Sequence, residues 1–205
     1  ENPVNEPGFY TSGDVNFSNY VALGNSLTAG YADNALYITG QENSFPNILA
    51  QQFAKVQETD GFRIPYMNDN VGGLLFGGQP NPSFGPRLVL ETIVDENGDV
   101  ISQAPKPYTG AAPSTEATSV LDGPFNNMGV PGAKSFHLLA PGYGNPAGLM
   151  TDPATANPYF VRFASSPEAS IIQDALAQEP TFFSLWIGNN DVLGYATSGG
   201  VNEAD

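Results

Sequence analysis

The 205-residue chain carries 21 acidic side chains against six basic ones, a formal charge of −15, so a nucleic-acid backbone or an anionic membrane surface would be repelled rather than bound. It has no cysteine, which excludes a disulfide framework and a thiolate metal site, and no apolar run approaches the roughly 18 residues that would span a bilayer. Apolar residues at 40% are enough for one sizeable core, while 23 glycines, 18 prolines and only 13% charged residues indicate long ordered loops.

Residues 1–18 read as a polar lead-in. The start, Glu1 to Gly8, has the character of an exposed tether of the kind left after a leader is removed. The main domain is expected over 19–205. Tyr20 to Leu23 is an apolar run that ends in Gly24-Asn25-Ser26, the way a buried strand presents a side chain at its carboxyl end. After a loop containing Tyr31, Asp33, Tyr37 and Gln41, a helix is expected with Ser44 as cap and Pro46 in its first turn. Phe45, Ile48, Leu49, Phe53 and Val56 would form the face that packs on a sheet. From 61 to 123 the pattern is irregular and rich in Gly and Pro, and is expected to be an insertion folded over the main sheet, a lid or substrate-binding subdomain. Within it, Arg87 to Val94 and Asp99 to Ser102 read as two strands joined through Glu96-Asn97-Gly98, where Asn-Gly favours a tight hairpin. Asp95, Asn97 and Asp99 alternate like ligands of a calcium loop, but the hairpin turn accounts for them and a full ligand set is lacking.

Asn127-Met128-Gly129-Val130-Pro131-Gly132 reads as a second strand end followed by a glycine turn, with a helical turn over Ser135 to Leu139. A loop rich in Gly and Pro from 141 to 158 leads to a helix signal, Ser166-Pro167-Glu168, whose buried face would be Ile171, Ile172, Ala175 and Leu176. Thr181 to Ile187 is a third strand whose near-continuous apolar character predicts burial on both faces of a parallel sheet. It ends in Gly188-Asn189-Asn190-Asp191. Three parallel strands finishing this way place their terminal groups along one edge, where they can converge. Acyl transfer through a serine needs donors aimed at the developing oxyanion, and the backbone N–H of Ser26, the N–H of Gly129 and the side-chain amide of Asn190 are the candidates.

Gly24-Asn25-Ser26-Leu27, Asn127-Met128-Gly129-Val130-Pro131-Gly132 and Gly188-Asn189-Asn190-Asp191 resemble, in order, the first three sequence blocks of the GDSL-type lipases and esterases, the SGNH hydrolases. The opening from Tyr20 to Phe53 is similar to a branch of that family found as bacterial cell-envelope lipoproteins. The resemblance implies a flavodoxin-like α/β/α sandwich around a parallel sheet, with Ser26 as nucleophile and Gly129 and Asn190 in the oxyanion hole. It further implies hydrolysis of a carboxylic ester, whether a small molecule, a lipid or an acetylated glycan, with no metal or organic cofactor. The setting would be extracytoplasmic: secreted, periplasmic or anchored as an outer-membrane lipoprotein. Two positions depart from the family pattern. Asn25 replaces the usual aspartate before the serine. The fourth block, Asp-x-x-His, is missing: the single histidine, His137, follows Lys134 at that spacing and is expected to be structural.

A Ser–Lys pair using Lys134 has no support from the pattern. The expectation is therefore that these residues are the amino-terminal part of a longer protein whose last strands carry Asp-x-x-His, with that remainder a potential second polypeptide. The alternative is a non-catalytic ester- or glycan-binding envelope protein on the same fold.

Overall fold

The architecture is built on β1 (Tyr20–Gly24), buried along its whole length. In the computed structural model, which describes residues 10–201, β1 is the centre of a three-stranded parallel sheet of order β6-β1-β7. β6 is Asn127–Gly129 and β7 is Phe182–Trp186. The register pairs Gly24 with both Gly129 and Trp186, so the three strands end level with one another. The Glu1 to Gly8 stretch lies outside the described residues. The remaining elements are short: α1 (Ser26–Ala29), α2 (Ile38–Glu42), α3 (Phe45–Phe53), the two-residue strands β2 (Leu75–Phe76) and β3 (Gln79–Pro80), the hairpin β4 (Leu88–Val94) and β5 (Val100–Pro107), α4 (Pro158–Val161), α5 (Ile171–Leu176) and α6 (Asn189–Thr197). The result is a mixed α/β molecule with a small parallel sheet and two antiparallel hairpins.

Two apolar cores flank the sheet end. The larger joins Val21, Leu23, Met128 and Val130 to Phe160, Phe163 and Ile171. The second gathers Ala29, Leu36, Met67, Leu74 and Tyr159, with Tyr31, Phe76 and Phe84 packed against it.

Several expectations need correction. β7 is not covered on both faces. It is an edge strand, and Phe183 and Leu185 are 60% and 52% exposed, while Phe182 and Ser184 turn toward Tyr20. In α3 only Pro46 is buried, and Ile48 and Leu49 are exposed. This helix is instead held at its two ends, Phe45 against Trp186 and Phe53 stacked on Phe17 with ring centroids 4.0 Å apart. Ser44 makes no side-chain cap. α5 does not start at Ser166. Ser170 accepts from the Gln173 N–H while the Gln173 side chain accepts from the Ser170 N–H, and this reciprocal capping box satisfies two donors where Ser166-Pro167 could satisfy one. Leu176, expected on the buried face, is exposed.

The insertion divides into two parts. Its hairpin forms as expected through the 95–99 turn, with β5 running on to Pro107, but the hairpin is largely solvent-exposed rather than folded over the sheet. Residues 71–87 do pack inward, donating Leu74, Phe76 and Phe84 to the second core.

Candidate active site

Ser26 is the first residue of α1, directly past the end of the central strand. Asn25 caps that helix: it is fully buried, its Oδ1 accepts the Leu27 N–H at 3.2 Å, and its Nδ2 donates to Asn189 Oδ1. Asn25 thus fixes the turn and ties the end of β1 to the start of α6 beyond β7 with neutral groups alone. The turn closes when the Ser26 carbonyl accepts from the Gly30 and Tyr31 N–H groups. The Ser26 hydroxyl itself makes no hydrogen bond among the described residues, and it opens on a cleft of about 230 Å³ walled by Tyr31, Phe84, Pro131, Gly132 and Tyr159.

The structure assigns the two glycines of the second block different work. The Gly129 N–H donates to Asn127 Oδ1 at 3.0 Å, and Asn127 Nδ2 donates to the Thr28 carbonyl. The Gly129 backbone lies so close to α1 that a Cβ there would stand 2.3 Å from the Ala29 nitrogen. Gly129 is therefore a closely packed glycine whose N–H, the group for which the resemblance implies an oxyanion role, already donates to Asn127. The glycine brought to Ser26 is Gly132, at φ +83, where an added Cβ would meet Asn157 Nδ2 at 3.8 Å. Its N–H has no acceptor among the described residues. Asn157, the N-cap of α4, holds this loop by donating to the Pro131 carbonyl at 2.8 Å.

Asn190 reaches the same loop from the other side. Its Nδ2 donates to the Ala133 carbonyl at 2.8 Å, leaving the second amide hydrogen to spare. The loop after β6 is thus shared: Pro131 and Gly132 line the Ser26 cleft and Ala133 holds Asn190, which is not itself among the residues lining that cleft.

No imidazole, carboxylate or amine lines the Ser26 cleft among the described residues. His137 Nδ1 accepts the Lys134 N–H at 2.9 Å, and its ring stacks on Tyr143 at 4.3 Å. That acceptor role requires the neutral ring. Burial, reinforced by the Lys134 charge and opposed by Asp191, lowers its pKa. The Lys134 ammonium lies over the Phe136 ring. Asp191 accepts from the Ser135 N–H and hydroxyl, which holds its carboxyl below the usual range. Asp95, the first residue of the alternating acidic turn, accepts from the Asn97 and Asp99 N–H groups, a backbone-capping arrangement. Among the described residues no group of three His, Asp or Glu is placed to hold a metal ion.

Tyr159, Phe84 and Asn157 were missed in the sequence. Asn157-Pro158 does carry a signal, an N-cap followed by proline at the first helical position. Phe84 carries none, because only the fold of the insertion brings it to Ser26. No protein-family model, curated protein or solved structure matches the chain, and no helix among the described residues is long and apolar enough to cross a membrane.

Proposed function

We propose that this chain provides the nucleophile and the oxyanion hole of a serine hydrolase acting on carboxylic esters, on a flavodoxin-like α/β/α frame of the GDSL or SGNH type. The observation that carries the reading is an unengaged serine hydroxyl at the carboxyl end of the central parallel strand, facing a loop whose Gly132 N–H is also unengaged. Ser26 Oγ attacks the ester carbonyl carbon and its proton passes to a base. The N–H groups of Ser26 and Gly132, with the free amide hydrogen of Asn190, receive the negative oxygen. The alcohol then leaves with the proton, and water releases the acid from the acyl-enzyme.

The base is not His137, whose acceptor nitrogen is occupied. It would come from an Asp-x-x-His segment outside these 205 residues, paired on the open edge of β7, where Phe183 and Leu185 offer an apolar face for it to cover. The setting would be extracytoplasmic, as for the envelope lipoproteins that the opening resembles.

The test is fluorophosphonate labelling of the purified protein followed by intact and peptide mass spectrometry. Label on Ser26, together with a polypeptide carrying Asp-x-x-His, is the expected result. Asn190→Ala should then lower ester turnover about 100- to 1,000-fold. An unlabelled Ser26 in material that does contain a polypeptide carrying Asp-x-x-His would favour the second reading, a non-catalytic binding protein, for which the base-free cleft is the supporting observation.

A further inference from the structure

Beside the Ser26 cleft lies a second one of about 430 Å³, and Tyr31 lines both. Tyr31, Tyr37, Phe45 and Trp186 dominate its wall beside Leu27, with Thr39, Asn43 and Ser44 as polar members and no charged side chain. The two phenol hydroxyls are tied away, Tyr31 to the Asn34 carbonyl at 2.7 Å and Tyr37 to the Asp33 carboxylate at 2.6 Å. Their rings are therefore fixed platforms rather than hydrogen-bonding tips. The Phe45 and Trp186 centroids stand 5.4 Å apart, and Trp186 is half-exposed. Ser44 Oγ is withdrawn from solvent, so a ligand in the cleft would meet the Thr39 and Asn43 polar groups instead.

Resting on the esterase reading and deepening it, we propose that this cleft binds the alcohol part of the ester as an uncharged sugar ring, while the smaller Ser26 cleft takes a short acyl group. A pyranose has apolar C–H faces for aromatic rings and hydroxyls for Thr39 and Asn43. An alkyl chain would satisfy the rings but take water from the Thr39 and Asn43 polar groups without replacing its hydrogen bonds, a cost that a hydroxylated ring avoids. A net charge of −15 with no cation in the wall disfavours an anionic ligand, and no carboxylate lines the wall to hold a cationic one. The asymmetry of the two clefts sets the order of the substrate: small acyl on one side of Tyr31, larger ring on the other.

Trp186 is the chain's single tryptophan, so its emission reports the occupancy of this cleft. The experiment titrates the full protein with neutral methyl pyranosides of glucose, galactose, mannose, xylose and N-acetylglucosamine, and separately with 1-hexanol and choline. A saturable change from at least one pyranoside is expected, weakened about tenfold by Tyr31→Ala, the loss of one aromatic contact, and largely kept in Tyr31→Phe. No saturation by any pyranoside, or saturation by hexanol or choline alone, overturns the proposal. Fluorophosphonate labelling of the same sample separates the two readings. Label on Ser26 without sugar binding defeats only the sugar assignment, and sugar binding without label, in a sample that contains the Asp-x-x-His polypeptide, defeats the esterase while leaving a sugar-binding cleft.

Discussion

β1 and β7 are paired residue for residue over five positions, both are rich in apolar side chains, and they live in different environments. β1 is flanked by a strand on each side and covered on both faces, so Tyr20 to Gly24 are all buried. Among the described residues β7 has a neighbour on one side only, and its outward residues Phe183 and Leu185 meet solvent. An apolar run reports what a segment could bury. What covers it depends on residues far away in sequence, here the β6 strand and its loop more than 100 positions after β1.

The sharpest way to break this comparison is a matched pair of truncations. Leu23→Ala, within the larger core, is expected to cost about 2–5 kcal/mol in urea unfolding. Leu185→Ala, half-exposed, is expected to cost about 0.5 kcal/mol or less. If a further segment covers β7 in the intact protein, as proposed for the catalytic base, the Leu185 value rises toward that of Leu23. The pair thus reads whether β7 is an edge in solution.

The next effect in size concerns the β6 side, where the loop bearing Gly132 is braced. Asn157→Ala removes the cap of α4, which accepts the Tyr159 N–H at 2.9 Å, and releases the Pro131 carbonyl. A loss of about 1 kcal/mol in unfolding free energy is expected, with a slower rate of Ser26 labelling. Unchanged labelling would mean that the loop keeps its position without its brace.

The strand ends were legible because each combines an apolar run with a glycine or asparagine terminator, and parallel pairing then places the termini together. The β4–β5 hairpin was legible for a similar local reason, the Asn97-Gly98 turn. What the sequence did not disclose depends on competition or distance. Ser166-Pro167 and Ser170-Ile171-Ile172-Gln173 are both helix starts, and only the latter closes a reciprocal cap. Gly129 and Gly132 stand three residues apart in one motif. The Asn127 side chain takes the donor of one and leaves the other open, a choice no spacing rule expresses. Phe84 enters the Ser26 wall through the fold of the insertion, where no local signal says that residues 71–87 pack inward while the hairpin projects.

The smallest expected effect lies where the two sides of the comparison meet, at the junction of the loop after β6 with α6 after β7. Ser135 binds Asp191 there, and His137 sits between Lys134, Phe136 and Tyr143. The His137 pKa is lowered from its ordinary 6.5, chiefly by burial, so the unfolded chain takes up a proton at a higher pH than the folded one. Stability from this residue is complete above about pH 6.5 and is lost as pH falls from there through the lowered folded value. Protonation also turns Nδ1 from acceptor to donor and breaks its bond with the Lys134 N–H. The melting temperature of the wild-type protein should therefore fall between pH 7 and pH 5 with a component that His137→Gln removes. Asp191, whose pKa is lowered, loses its contribution only below the ordinary carboxylate range and leaves that window untouched. A slope that survives His137→Gln unchanged would place the titrating group elsewhere and leave the ring as a packing element alone.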